Sequence, residues 1–398
     1  MSVGKSLLVC CCLVLAGCSA ENSASPSEQN ALEPEYSRKQ VLSMAQEKYL
    51  NFARHHSPVE GYPRAVNDAN EWVQVPLNWT SGFLPGILWN LAHWLEHDEL
   101  QQQARRWTVN LDDAAHWSTH DIGFMVDYSF GKGYRATNET QYLPVMEQGA
   151  KNLVTRFNPN VGAIKSWNRM GRHTVIIDNL MNLALLFEAA RLFADDRYYQ
   201  IALTHAYTTA DEFIRQDGST FHVVDFDPTS GAVMRKHTEQ GLNASSTWAR
   251  GQAWAIYGFA QTYGYTGDVS FLEAADVTAK AFISRMPNDG VAPWDFDAPG
   301  EAQKDAAASA IAAAGLWLLS NLHDNPDTIS VYRKASQRLI DALLNPRYID
   351  LNESGESLLM HATGHFPAGS EIDTSLIYAD YYLIEAMMMQ LGFIDSPL

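Results

Sequence analysis

The stretch Ile177-Asp178-Asn179-Leu180-Met181-Asn182-Leu183-Ala184-Leu185-Leu186-Phe187 decides the fold class. Its apolar residues Leu180, Leu183, Leu185 and Leu186 recur at three- and four-residue spacing, the period of a helix rather than the alternation of a strand. The same spacing returns in about twelve segments, near 38–53, 82–95, 101–113, 120–136, 141–157, 177–193, 197–215, 248–264, 268–286, 305–322, 327–344 and 376–391, separated by Gly, Pro and Asp clusters that punctuate helices. Twelve helices make six helical hairpins. No linker-like change of composition follows residue 37, so one closed domain over 37–398 is the simplest arrangement. The pattern predicts an all-α chain wound as an (α/α)6 barrel, with inner helices apolar on both faces, outer helices amphipathic, and the loops at one end forming a cleft. An open helical array is disfavoured, because the segment spacing is irregular and no motif repeats at a fixed period. The stretch 219–237 predicts a small β-hairpin insertion with Asp227 to Gly231 at its turn.

All four cysteines, Cys10, Cys11, Cys12 and Cys18, fall in the first 18 residues, so the folded part has neither a disulfide nor a thiolate ligand. Those residues hold Lys5, the apolar run Leu7 to Leu15, and then Ala16-Gly17-Cys18, the layout of an export signal. Leu15-Ala16-Gly17-Cys18 matches the lipobox of bacterial lipoproteins, in which cleavage leaves a lipid-bearing cysteine at the new N-terminus. The expectation is a lipoprotein signal over 1–18, a flexible tether over 19–36 rich in Ser, Asn, Glu and Ala, and an exported protein, periplasm-facing or on the outer membrane, attached only through lipid at Cys18.

A formal net charge of -18 argues against a nucleic-acid partner, which requires a positive surface. It also means that a polyanionic ligand must be met by a few local cations. Eleven Trp and seventeen Tyr are more than a helical core of this size needs. Several, among them Trp72, Trp79, Trp167, Trp248, Trp254 and Trp294, sit in loops or at helix starts, where aromatic faces stack on sugar rings. Metal-binding, nucleophile-elbow, phosphate-loop and dinucleotide motifs are all missing from the sequence. No metal and no cofactor are expected.

What remains is carboxylates in apolar settings. Asp178 opens a strongly apolar helix, where desolvation raises a carboxyl pKa and lets it hold a proton near neutral pH. A helix N-cap is the competing explanation, weakened by Met181 where a capping box wants Glu or Gln. Asp121, in Thr119-His120-Asp121-Ile122-Gly123-Phe124, likewise enters an apolar helix. The 57-residue interval, one helical hairpin plus its return, would bring both acids to the same end of adjacent hairpins, where one negative charge keeps the other carboxyl protonated. A third candidate is Trp248-Ala249-Arg250-Gly251-Gln252-Ala253-Trp254. There Arg250 offers a planar fork for a carboxylate, and Trp254, four residues on, a stacking platform on the same face.

At these residues the chain resembles glycoside hydrolase family 88, the unsaturated glucuronyl hydrolases. The resemblance runs in order through Trp79-Thr80-Ser81-Gly82-Phe83, His120-Asp121-Ile122-Gly123-Phe124, Asp178-Asn179-Leu180-Met181-Asn182, Arg215-Gln216-Asp217-Gly218-Ser219, the Trp248 to Trp254 block and Tyr378-Ala379-Asp380-Tyr381-Tyr382. It implies an (α/α)6 barrel, no metal, and hydration of the C4=C5 double bond that polysaccharide lyases leave on a non-reducing-end uronate. By the same resemblance, Asp178 protonates C4 and helps water attack C5, while Asp121 tunes it. His120, His222, Gln240, Arg250 and Trp254 would surround the uronate, with Trp79 at the pocket wall. Ser246 stands where some members carry an aromatic, which leaves the next subsite open. The segment from His365 to Asp373 resembles members acting on sulfated or glycosaminoglycan-type fragments. Two alternatives stand beside this reading: an unsaturated galacturonyl hydrolase of the related family 105, and an inactive glycan-binding lipoprotein.

Overall fold

The structure, a computed structural model, describes residue 1 and residues 34–394 except 96 and 353. The expected signal, tether and Cys18 therefore lie outside the described residues. Twelve α-helices are found among the described residues: α1 (Arg38–His55), α2 (Phe83–Leu95), α3 (Asp98–Val109), α4 (Lys132–Thr137), α5 (Leu143–Val154), α6 (Leu183–Phe193), α7 (Asp196–Phe213), α8 (Ala249–Thr266), α9 (Val269–Ser284), α10 (Ala306–Asn321), α11 (Pro326–Leu343) and α12 (Ile377–Gln390). A π-helical stretch, Gly123–Gly131, leads into α4. A 3-10 turn, Ile177–Asn182, leads into α6.

Two kinds of helix alternate, and burial explains which goes where. In α10 every residue from Ala306 to Ser320 is buried, and in α12 every residue from Ile377 to Met389. Helices apolar all round must be enclosed. In α3 only Leu100, Ala104, Trp107 and Thr108 are buried, one stripe facing inward. The enclosed helices form a closed inner ring: α2 against Gly123–Gly131, that stretch against α6, Ile177–Asn182 against α8, α8 against α10, α10 against α12, and α12 back onto α2. Each of α3, α7, α9 and α11 packs outside its predecessor, α5 packs outside Gly123–Gly131, and α1 closes the outer ring on α12 and α2. This is the (α/α)6 barrel the periodicity predicts. Its axis is filled by Phe83, Phe124, Tyr128, Tyr381 and Tyr382, ring against ring.

The β-structure is more extensive than the single predicted hairpin. Strands β1 (Tyr62–Val66) and β2 (Trp72–Val75), β3 (Phe157–Asn158) and β4 (Ala163–Ile164), and β9 (Ala362–His365) and β10 (Ser370–Thr374) pair antiparallel. The expected hairpin is present as β7 (Val223–Phe226) and β8 (Val233–His237). It is half of a four-stranded antiparallel sheet completed by β5 (Trp167–Arg169) and β6 (Arg172–Ile176). β5 is only three residues long, and β6 is buried on both faces over most of its length. Neither shows the alternation by which an isolated strand is read. The last residue of β6, Ile176, hands the chain directly into the turn that carries Asp178.

Candidate active site

Both aspartates leave the strand or loop before an inner helix and point into one cleft at the same end of the barrel. The cleft, about 240 Å³, is lined among others by Trp79, His120, Asp121, Trp167, Asp178, Gln240, Arg250 and Tyr378. The close packing of the two helix starts is local and explicit. Asn182 Oδ1 accepts a hydrogen bond from the Phe124 backbone N–H at 2.8 Å. A Cβ on Gly123 would stand 2.5 Å from the Asn182 Cα, so only glycine permits this approach. Neither carboxylate caps its helix: the N-cap positions are Ile122 and Ile176, without side-chain cap bonds. The capping explanation for both acids is removed.

Burial raises the pKa of Asp178 to about 7, opposed by the positive charge of Arg250 and reinforced by Asp121. Asp178 Oδ2 has no hydrogen-bond partner within the protein. Burial also raises Asp121 to about 7, opposed by a hydrogen bond from the Thr119 hydroxyl and by Arg156; that hydroxyl donates to Asp121 Oδ2 at 3.2 Å. The two carboxyls repel as anions, so the pair retains protons near neutrality.

Two histidines flank the pair, both neutral. His120 Nε2 lies 3.2 Å from Asp121 Oδ1, and burial, with Arg156 adding to it, depresses the His120 pKa to about 3. His222 is buried beside Asp178 rather than among the residues lining the cleft. Its Nδ1 accepts the backbone N–H groups of Glu239 and Gln240 at 3.2 and 3.3 Å, which places the remaining proton on Nε2. That Nε2 is 3.9 Å from Asp178 Oδ2, beyond hydrogen-bond length, and burial followed by the Arg250 charge holds the ring uncharged.

Two expectations need correction. Arg250 lines the cleft, but its terminal nitrogens are already engaged. Nη1 donates to Asp305 Oδ2 at 2.5 Å and the Thr363 carbonyl at 2.6 Å; Nη2 donates to Gln240 Oε1 at 2.7 Å and the Gly364 carbonyl at 2.6 Å. Four N–H groups are thus spent on a buried clamp joining the start of α8, the N-cap of α10 and strand β9. Arg250 acts on the cleft through charge, not as an open fork. Trp254, 1 % exposed, is no stacking platform. It packs between Phe124 and Tyr382 and forms the floor beneath Asp178, whose pKa it lowers slightly.

Other residues are brought in that local sequence did not single out. Arg64 on β1 and Glu371 on β10 form a two-pronged ion pair, 2.5 and 3.1 Å, at the cleft rim. They are 307 positions apart, so no spacing rule links them. His365 and Tyr378 complete the wall. Arg156, buried behind Asp121, donates to the carbonyls of Ser118, Lys165 and Ser166 and so ties the Asp121 loop to the entry of β5.

The Glycosyl Hydrolase Family 88 model matches residues 47–382. The unsaturated glucuronyl hydrolase of Formosa agariphila is 38% identical over 376 residues, 91% of this chain and 92% of that protein. Among solved structures, an unsaturated glucuronyl hydrolase specific for heparin superposes with a TM-score of 0.85 at 38% identity, covering 90% of this chain and 98% of that one. A variant of the Streptococcus agalactiae unsaturated glucuronyl hydrolase complexed with dGlcA-GalNAc6S superposes with a TM-score of 0.78 at 26% identity, covering 96% and 99%.

Proposed function

This chain belongs to glycoside hydrolase family 88, and we propose that Asp178 and Asp121 carry its reaction, removal of a 4,5-unsaturated glucuronic acid from the non-reducing end of oligosaccharides. The observation that carries this assignment is the pair of buried, uncapped carboxyls with pKa values raised to about 7 on one cleft. A protonated Asp178 donates to C4 of the enol ether while water adds at C5; its carboxylate then takes the proton that the water gives up. The product is a C5 hemiketal. Its ring C5–O bond breaks to give a ketone, the freed hydroxyl leaves C1 as a hemiacetal, and that collapses to an aldehyde as the linked sugar departs. The net change is addition of one water. Asp121 sets the proton affinity of Asp178 by its charge. His222 Nε2–H, aimed at the same carboxyl from 3.9 Å, favours the anion that forms after proton transfer. Trp79 and Trp167 supply ring faces for the sugar, and His120 and Gln240 supply polar contacts at its edge.

The test follows the ultraviolet absorbance of the conjugated enol-ether carboxylate, which hydration destroys. An unsaturated glucuronyl disaccharide loses its absorbance in the presence of the enzyme, and a pectin-derived unsaturated galacturonyl-rhamnose, whose unsaturated ring is the same but whose linkage and attached sugar differ, loses it far more slowly. Retention of the ligand without loss of absorbance would favour a binding protein instead. Asp178→Asn abolishes turnover while preserving the fold; a variant with a near-normal rate removes Asp178 from the mechanism.

For location we propose export as a lipoprotein, periplasm-facing or on the outer membrane, with residues 1–18 as the signal and 19–36 as a tether. The support is the sequence Leu15-Ala16-Gly17-Cys18 after an apolar run. Cys18→Ala then moves the protein from the membrane fraction to the soluble fraction, and unchanged partitioning rejects the anchor.

A further inference from the structure

The cleft, at about 240 Å³, is smaller than the roughly 300–1,000 Å³ of pockets that enclose a whole drug-sized ligand. It takes the end of an oligosaccharide, and the rest of the chain must lie over the rim. One stretch of rim carries the charge for an acidic chain. In β6 the side chains of Ile176, Thr174 and Arg172 share one face, since alternate residues of a strand point the same way. The register places Trp167 beside Thr174, Arg169 beside Arg172, Asp225 beside Thr174 and Arg235 beside Asp225. This face therefore starts at the cleft, where Ile176 and Trp167 line the wall, and runs outward to Arg169, Arg172 and Arg235. The opposite face packs inward, with Lys236 Nζ donating to the Glu212 carbonyl on α7 and His173 bonded to the Ala163 carbonyl.

The arginines are held in place. Asp225, fully buried, accepts the Thr174 hydroxyl at 2.6 Å on Oδ1. Its Oδ2 takes Arg172 Nη1 at 3.1 Å and Arg235 Nη2 at 3.3 Å. Above it the Arg172 and Arg235 side chains stay 41% and 53% exposed. Arg172 gives one of its five N–H donors to Asp225; Arg235 spends its contacts through Nη2, on Asp225 and His237. Arg169 donates to Glu239 at 2.9 Å and lies 4.8 Å from the Trp167 ring centre. Three guanidinium charges face two carboxylates, and His237 is held toward its neutral form by burial. The strip is thus net positive on a protein of formal charge -18. A carboxylate under a pair of arginines costs nothing in reach: it fixes their orientation and leaves their outer edges open to a second anion.

We propose that Arg169, Arg172 and Arg235 form an anion-binding strip on the outer face of the β5–β8 sheet, holding sulfate or carboxylate groups on the sugars beyond the cleaved linkage. The inference rests on the glycosidase reading above. From Ile176 to Arg172 the face extends about 13 Å at 3.3 Å per residue, so the strip acts on sugars past the first ring of the leaving group.

The experiment compares three substrates: an unsulfated unsaturated disaccharide, and unsaturated tetrasaccharides whose distal sugars bear either sulfate esters or carboxylates alone. Wild-type turnover of the disaccharide tests the glycosidase reading by itself. Arg172→Gln and Arg235→Gln are expected to raise KM for the sulfated tetrasaccharide about 5-fold each, leave kcat in place, and shift disaccharide KM less than 2-fold. Arg172→Lys is expected to recover part of the loss. A response confined to the sulfated arm assigns the strip to sulfate esters, and a response in both arms assigns it to anions in general. Salt provides a readout on the unaltered enzyme: the tetrasaccharide KM rises more steeply with ionic strength than the disaccharide KM. Equal changes for all three substrates, or parallel salt dependence, would show that the arginines only support the sheet and would overturn the proposal.

Discussion

Replacing Asp178 by Asn should remove activity and yet strengthen the fold, by an amount that depends on pH. In the folded protein the Asp178 carboxyl ionises at about 7 instead of 3.8. A raised carboxyl pKa means the unfolded chain releases its proton first, so rising pH between those two values favours the unfolded state. At 1.36 kcal/mol per pH unit of difference, the raised pKa of Asp178 costs the fold up to about 4 kcal/mol at pH 8 and about 1.6 kcal/mol at pH 5. Asn is neutral at both, and its advantage therefore grows by about 2–3 kcal/mol over that interval. About 360 folded residues, at roughly 2.1 cal/mol/K each, give an unfolding entropy near 0.75 kcal/mol/K, so the gap in Tm widens by about 3 °C. Thermal melts of both proteins at pH 5 and pH 8, followed by circular dichroism, measure this alongside turnover. A variant less stable than the parent at pH 8, or a difference that does not change with pH, would refute the claim that Asp178 is a desolvated carboxyl in tension with its surroundings.

Four other outcomes follow from the same geometry. In the proposed mechanism Asp178 must hold the proton it gives to C4, so kcat/KM should fall as pH rises through about 7. In Asp121→Asn, which removes a charge that raises the Asp178 pKa, the alkaline limb should move to lower pH on top of a loss in rate; an unmoved limb would separate the two carboxyls. Gly123→Ala forces a Cβ to within 2.5 Å of the Asn182 Cα and should destabilise by about 3 kcal/mol or more while lowering activity, because it drives apart the two helix starts that carry the acids. Asp305→Ala strands the buried Arg250 charge and frees β9; a loss of about 3–5 kcal/mol in denaturant unfolding, with a higher KM, is expected.

The helices and the acids were legible for physical reasons local to the chain. Six inner and six outer helices differ in how many faces they bury, and that difference is written directly as apolar period. Asp178 and Asp121 stood out because an acid entering an apolar helix is either a cap or a desolvated group. The sequence around them reduced that choice to two possibilities without deciding it. The family motifs added the cleft residues His120 and Gln240, which line one cavity together with Trp79 and Arg250, already marked by their local setting.

Tertiary structure decided what depends on partners distant in the chain. The cap explanation fails only because the chain geometry puts Ile122 and Ile176 at the N-cap positions. Arg250 looked like a free fork because Asp305, Thr363 and Gly364 lie 55 to 114 positions away, and a donor's commitments cannot be counted until its acceptors are placed. Trp254 shares a helix with Arg250, but Phe124 and Tyr382 pack against its ring and leave no open face for a sugar. The four-stranded sheet was hidden because β5 and β6 are separated from β7 and β8 by two helices, and β6 is buried on both sides. Periodicity reports which face of an element is wet. It does not report which distant element keeps the other face dry, and in this barrel that second fact set the proton affinities of the two acids.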